Sequence, residues 1–193
     1  MSQFDIDDFV ESVEDRRLTT GCVTTAVAIW GIAVNGRQRS GGRTALHLAV
    51  DRKRYELCVA LLAVGADPNV KSNTGATSVW VGASRTADIL QLLIDAGGDV
   101  NVHSDRSGTP LISHAISSSY DDEAAVLGVI FSCPDLKFDS KYKGKTAEQW
   151  ATERGCFWKA SAIADERARR ARWGVLRSAW ITATITRHSV MES

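Results

Sequence analysis

The 193-residue chain has no excess of charge: 23 basic side chains stand against 23 acidic ones, so no global field recruits nucleic acid or an anionic membrane. It has no apolar run approaching the roughly 18 residues that a membrane-spanning helix needs. The opening MSQFDIDDFVESVEDRR has neither the basic start nor the apolar core of a secretory signal. Four cysteines, Cys22, Cys58, Cys133 and Cys156, form no CxxC pair and have no histidine at metal-ligand spacing. They read as reduced thiols. Neither GxGxxG nor a Walker loop occurs, and Gly41-Gly42, Gly97-Gly98 and Gly108 instead mark turns. The setting expected from these absences is soluble, reducing and cytoplasmic, with the nucleus as the alternative.

Catalytic chemistry is equally thin. A nucleophile site needs a serine or cysteine with a histidine and an orienting carboxylate. The four histidines, His47, His103, His114 and His188, are scattered, and Ser113-His114 is a dipeptide whose side chains do not face each other on a helix. We expect no enzyme, no catalytic residue, no metal and no cofactor.

What is present is a period. Gly42 to Asn69, GRTALHLAVDRKRYELCVALLAVGADPN, reads as two short helices and a turn, and Gly42 to Gly75 and Thr44 to Thr77 are both 33 residues apart. LLIDAGGDVN (Leu92 to Asn101) repeats the close LLAVGADPN (Leu61 to Asn69). A fixed period of this length indicates a stacked helical solenoid. Each element has a physical reason. Thr44 can cap a helix N-terminus, Gly65 suits a left-handed helix end, and Asp67 and Asn69 favour a tight turn.

These residues resemble an ankyrin repeat. Gly42-x-Thr44-Ala45-Leu46-His47-Leu48-Ala49 matches the family's opening motif, with alanine where proline is usual, and Leu61-Leu62-x-x-Gly65-Ala66-Asp67-Pro68-Asn69 matches its close. The resemblance implies an all-α ankyrin-type helical solenoid of four to five repeats with β-turn tips and a C-terminal extension. It implies that His47 bonds between neighbouring turns. In the next unit Trp80 stands in that position.

The expected domain is 1–172. It begins with a degenerate repeat at 4–41, in which Phe4, Ile6, Phe9, Val10 and Val13 form one helical face and Ile29 and Trp30 anchor a second helix. Repeats at 42–74, 75–106 and 107–143 follow, the last with an insertion near Ser117–Asp122, and a cap covers 144–172 with a helix from about Phe157. In the second repeat Leu46, Leu48, Leu57, Val59, Leu61 and Leu62 supply the apolar positions. The extension, 173–193, reads two ways: Trp173, Leu176 and Trp180 share a helical face, whereas Ile181 to Thr186 alternates as a strand would.

The resemblance implies non-catalytic protein-protein recognition, as a scaffold or adaptor binding through turn tips and the concave inner-helix face. Its usual contact positions map to Lys71, Asn73 and Thr74 on one turn and His103, Asp105 and Arg106 on the next. Helix ends add Asp51, Arg52, Ser84 and Arg85, and Arg37, Gln38, Arg39, Tyr142 and Lys143 extend the ridge. The partner is a protein of unknown identity, and the chain is expected to be a monomer. The alternative is docking to nucleic acid or an anionic membrane through the basic C-terminal segment, where Arg167, Arg169, Arg170, Arg172 and Arg177 interleave with Trp173 and Trp180. A third reading is self-association: residues 1–20 hold six acidic and two basic side chains, and 137–177 hold eleven basic and five acidic. Asn101 also sits where asparagine hydroxylases act on ankyrin turns, although the turn alone accounts for it.

Overall fold

A computed structural model describes residues 6–14, 19–117 and 122–173. The chain forms helices α1 (Ile6–Glu14), α2 (Thr20–Trp30), α3 (Ala45–Asp51), α4 (Tyr55–Ala63), α5 (Ser78–Gly82), α6 (Ala87–Asp95), α7 (Leu111–Ser117), α8 (Glu123–Ser132) and α9 (Ala147–Glu153). A tenth helix covers 157–173. The two-residue strands β1 (Lys141–Tyr142) and β2 (Lys145–Thr146) pair antiparallel in front of α9.

Threonines start the inner helices. Thr44, Thr77 and Thr146 sit in extended backbone just before α3, α5 and α9, and each hydroxyl accepts from the backbone nitrogen three residues on. That satisfies one of the donors a helix N-terminus leaves open. At the far end of α4, Gly65 takes φ 90°, and the nitrogen of Ala66 bonds back to Leu61. A left-handed residue here turns the chain at once into the closing loop.

The helices stack in two rows. In the inner row α1 packs on α3 and α3 on α5, and further along α7 packs on α9; in the outer row α2, α4, α6 and α8 follow one another. One apolar core threads between the rows, from Phe9, Val10 and Val13 through Leu46, Leu57 and Leu61, then Ile89, Leu93 and Leu127, to Ile163. This is the all-α solenoid that the resemblance implies, and no single helix pair could bury its own apolar face.

One expectation needs correction. Val59 does not join the core but is 37% exposed on the outer surface of α4, and Cys58 fills the buried position beside it. Phe4, Ser118 to Asp121, Leu176, Arg177, Trp180 and the alternating Ile181 to Thr186 lie outside the described residues, as do the side chains of Ile29 and Trp30. Trp173, the last described residue, is 63% exposed.

Side-chain amides join consecutive loops. Asn35 donates to Gly65 O at 3.1 Å and accepts from the nitrogen of Asp67 at 2.7 Å. Asn69 makes the same pair of bonds with Gly97 O and the nitrogen of Asp99, at 2.9 and 2.8 Å. Asn101 repeats them with Asp135 O and the nitrogen of Lys137, again at 2.9 and 2.8 Å. Each asparagine therefore uses its donor and its acceptor on the next loop, which sets the stacking interval.

Candidate functional site, a concave cleft and its turns

Between consecutive helix pairs the chain projects in tight turns, and these are bonded edge to edge. The nitrogen of Asn73 donates to Gly41 O at 3.0 Å, and that of Arg106 donates to Thr74 O at 3.3 Å. Gly75 lies in this contact at φ 74°, and a Cβ there would overlap the Asp105 side chain and backbone nitrogen. Only glycine satisfies both demands.

His47 ties the turns to the inner helices. Its Nε2 donates to Ala76 O at 2.9 Å, since a carbonyl can only accept, and its Nδ1 accepts from the Thr44 backbone nitrogen at 3.2 Å and hydroxyl at 2.9 Å. Burial is the main cause that lowers its pKa, which keeps the ring neutral. Trp80 performs the same reach one unit later: its Nε1 donates to Thr109 O at 3.4 Å. Its larger ring also extends across the groove and stacks on His114, with centroids 3.6 Å apart and planes 11° from parallel. Burial first, and the charge of Arg85 second, bring the His114 pKa down to about 4.

Beside this stack lies a cleft of about 460 Å³ whose walls include Arg43, Asp51, Ser84 and Arg85 as well as the two rings. Arg85 hydrogen-bonds Asp51, and Arg43 approaches the same carboxylate at 3.6 Å. Burial pushes the Asp51 carboxyl up, but the Arg85 hydrogen bond and the charges of Arg85 and Arg43 outweigh it and hold the group below its ordinary value. The cleft is thus an aromatic wall next to an arginine-rich floor.

The residues expected at the surface distribute as follows. Asp51, Thr74, Ser84 and Arg85 line the cleft. Arg37 donates to Asn73 Oδ1 at 2.6 Å across adjacent turns, and Lys71 pairs with Asp105 at 2.8 Å across the next pair. Gln38 bonds Ser40, and the nitrogen of Arg39 bonds Asp7. His103 and Arg106 are exposed on the third turn, Tyr142 packs against Trp150, and Lys143 lies 5.3 Å from the Tyr142 ring. Arg52 is exposed at the C-terminal end of α3, away from the lined cleft. Arg43 and the Trp80–His114 pair were missed as cleft residues. The signal was present for Trp80, an aromatic in a motif position that calls for histidine, but His114 is 34 residues away and nothing local connects the two.

Three arginines of the helix at 157–173, Arg167, Arg169 and Arg170, are engaged within the chain. Arg169 and Arg170 both bond Glu166, and Arg170 also donates to Phe131, Cys133 and Pro134 carbonyls at 2.7 to 3.1 Å. The hydrogen bond from Arg169 leads the causes that hold the Glu166 carboxyl at about 2. Arg167 meets Glu148 at 3.0 Å. Burial pushes the Cys58 thiol up to about 12, which makes it unreactive. Among the described residues no cluster of histidine, cysteine or carboxylate groups is placed to hold a metal, and no helix is long and apolar enough to cross a membrane.

The family model for the ankyrin repeat matches residues 41–73. Similar proteins include the nuclear factor NF-kappa-B p105 subunit of Gallus gallus, 34% identical over 112 residues that make up 55% of this chain and 11% of that protein. The Mus musculus p105 subunit is 39% identical over 79 residues, 40% of this chain and 8% of the relative. The inactive serine/threonine-protein kinase TEX14 of Bos taurus is 39% identical over 70 residues, 36% of this chain and 5% of the relative. The chain therefore matches about a tenth or less of the length of these relatives.

Proposed function

We propose that this chain, an ankyrin repeat protein, is a non-catalytic recognition module that holds a protein partner against the turns and the concave cleft of its stack. Ankyrin repeats generally mediate protein-protein interaction, and a rigid solenoid offers an extended concave surface for it. The observation that carries the reading is the cleft itself. Residues from several consecutive units converge on it, and its Trp80–His114 wall and its Arg43 and Arg85 side chains are of the kinds enriched at interface centres. The terminal-helix arginines favour this reading over docking to nucleic acid, because Arg167, Arg169 and Arg170 already pair with carboxylates of the chain. A scaffold or adaptor role in the cytoplasm or nucleus follows from the same reading.

The test is capture from cell lysate by the intact chain and by a variant with alanine at Lys71, Asn73, Arg85, Asp105 and Arg106. Circular dichroism checks the fold, and binding of the captured protein is then measured with purified components. The expected result is a partner that binds the intact chain at least tenfold tighter than the variant. Equal binding to both would place recognition elsewhere on the molecule.

A further inference from the structure

The neutral overall charge conceals a separation. The first turn, 36–43, carries Arg37, Arg39 and Arg43 with no acidic residue, and the last, 139–145, carries Lys141, Lys143 and Lys145 against Asp139 alone. The two turns between them are close to neutral, since Lys71 pairs with Asp105 and only Arg106 is added. The outer row is the opposite. Segments 55–69, 86–101 and 122–137, which hold α4, α6, α8 and their closing loops, contain eight acidic side chains and one basic one.

Resting on the recognition reading above, we infer that the partner segment is an extended peptide with two acidic clusters about nine residues apart. One cluster seats on the first turn and the other on the last, and the chain between them crosses the Trp80–His114 stack. The spacing follows from the architecture. Stacked helices lie about 10 Å apart, so three intervals separate the outer turns by about 30 Å, and an extended chain rises about 3.3 Å per residue.

The ion pairs now on these turns do not block the seat. Lys145–Glu153 at 2.6 Å joins two exposed side chains, and Arg39–Asp7 at 3.4 Å joins an exposed arginine to a half-buried aspartate; such surface pairs exchange partners at little free-energy cost. Asp51 shows how a carboxylate is received, held between Arg85 and Arg43 on the groove floor. A nucleic acid fits less well. Its charge is uniform along the strand, and it would have to pass Asp105 and Asp51 in the neutral middle, whereas a peptide can place its charges only at the ends.

The experiment selects peptides from a random 16-residue display library on the full chain, on a Lys141→Glu/Lys143→Glu variant and on an Arg85→Ala variant, with folds checked by circular dichroism. The best peptides are synthesised, and a 20-nucleotide single-stranded RNA is measured beside them. Support is enrichment of peptides with two acidic clusters eight to ten positions apart, whose affinity falls at least tenfold in the charge-reversed variant and tenfold between 100 and 400 mM NaCl. Neutral or basic peptides that lose binding in Arg85→Ala overturn the acidic-partner inference and leave the groove reading standing. Tighter binding of the RNA than of any selected peptide overturns the choice of partner class. Peptides indifferent to both variants overturn the inference and the groove reading together.

Discussion

Lowering the pH from about 7.5 to about 5 should destabilise the stack through its two neutral imidazoles. His114 falls from an ordinary value of 6.5 to about 4 in the folded chain, and His47 is lowered as well. The unfolded chain therefore binds more protons than the folded one throughout this interval, and stability rises with pH wherever that holds. At pH 5 the unfolded His114 is protonated while the folded ring is still mostly neutral. At 1.36 kcal/mol per pH unit, the loss for this one residue is about 2 kcal/mol. The stack on Trp80 offsets little of it, because a cation–π attraction acts only on a protonated ring and the folded ring is still mostly neutral at pH 5. The expectation for His114 is thus a loss of about 2 kcal/mol, and His47 adds in the same direction.

The interval isolates the imidazoles. Asp51 and Glu166 have lowered values, so the stability they contribute is present above the ordinary carboxylate range and is lost only as pH falls through their folded values. Urea unfolding of the wild-type chain and of His114→Gln at the two pH values measures the effect, read at constant m-value. The wild type should lose at least 1 kcal/mol more than the variant. An equal loss in both, or none in either, would refute the assignment of His114 as a buried neutral ring.

Three structural perturbations follow. Lys159, 2% exposed, donates to Ile116 O at 2.9 Å and pairs with Glu123 at 2.9 Å; Lys159→Ala leaves both acceptors without it and should cost about 3 kcal/mol, measured by urea unfolding. Asn69→Ala removes two bonds to the next loop and should cost about 1–2 kcal/mol, while Asn69→Asp keeps an acceptor for the Asp99 nitrogen but sets a carboxylate oxygen against Gly97 O and should cost at least as much, both measured by urea unfolding. Gly65→Ala and Gly75→Ala both place alanine in left-handed backbone; Gly65 faces open space and should cost about 1 kcal/mol, whereas Gly75 also meets Asp105 and should cost about 2–4 kcal/mol, a difference visible in thermal midpoints.

The period and the caps were legible because each is a local demand. Thr44 needs only the helix that follows it, Gly65 only the helix it ends, and the spacing of Thr44 to Thr77 follows from stacking identical units. The cleft was not legible in the same way. Asp51, Ser84 and Arg85 could be placed at helix ends, but that Arg43 and Arg85 meet on one carboxylate depends on how adjacent units are rotated. The Val59 correction has a related cause. Outer-row helix α4 is apolar nearly all round, so periodicity alone could not say whether Val59 or Cys58 faces inward.

The position three residues after the threonine that opens each of these units, Thr44, Thr77, Thr109 and Thr146, shows where the chain departs from a bare repeat. His47 uses it to reach the next turn at Ala76, and Trp80 uses it to reach Thr109. In the next unit Ile112 occupies it, 2% exposed and apolar, and the reach ends there. In the unit with α9, Gln149 folds back to the nitrogen of its own Thr146 at 2.9 Å. His47 makes the corresponding bond in its own unit with a smaller ring, at 2.9 Å. What tryptophan adds is the surface that meets His114, and that surface forms a wall of the cleft. Trp80 thus keeps the structural bond of the motif position while enlarging the wall of the groove where recognition is proposed to occur.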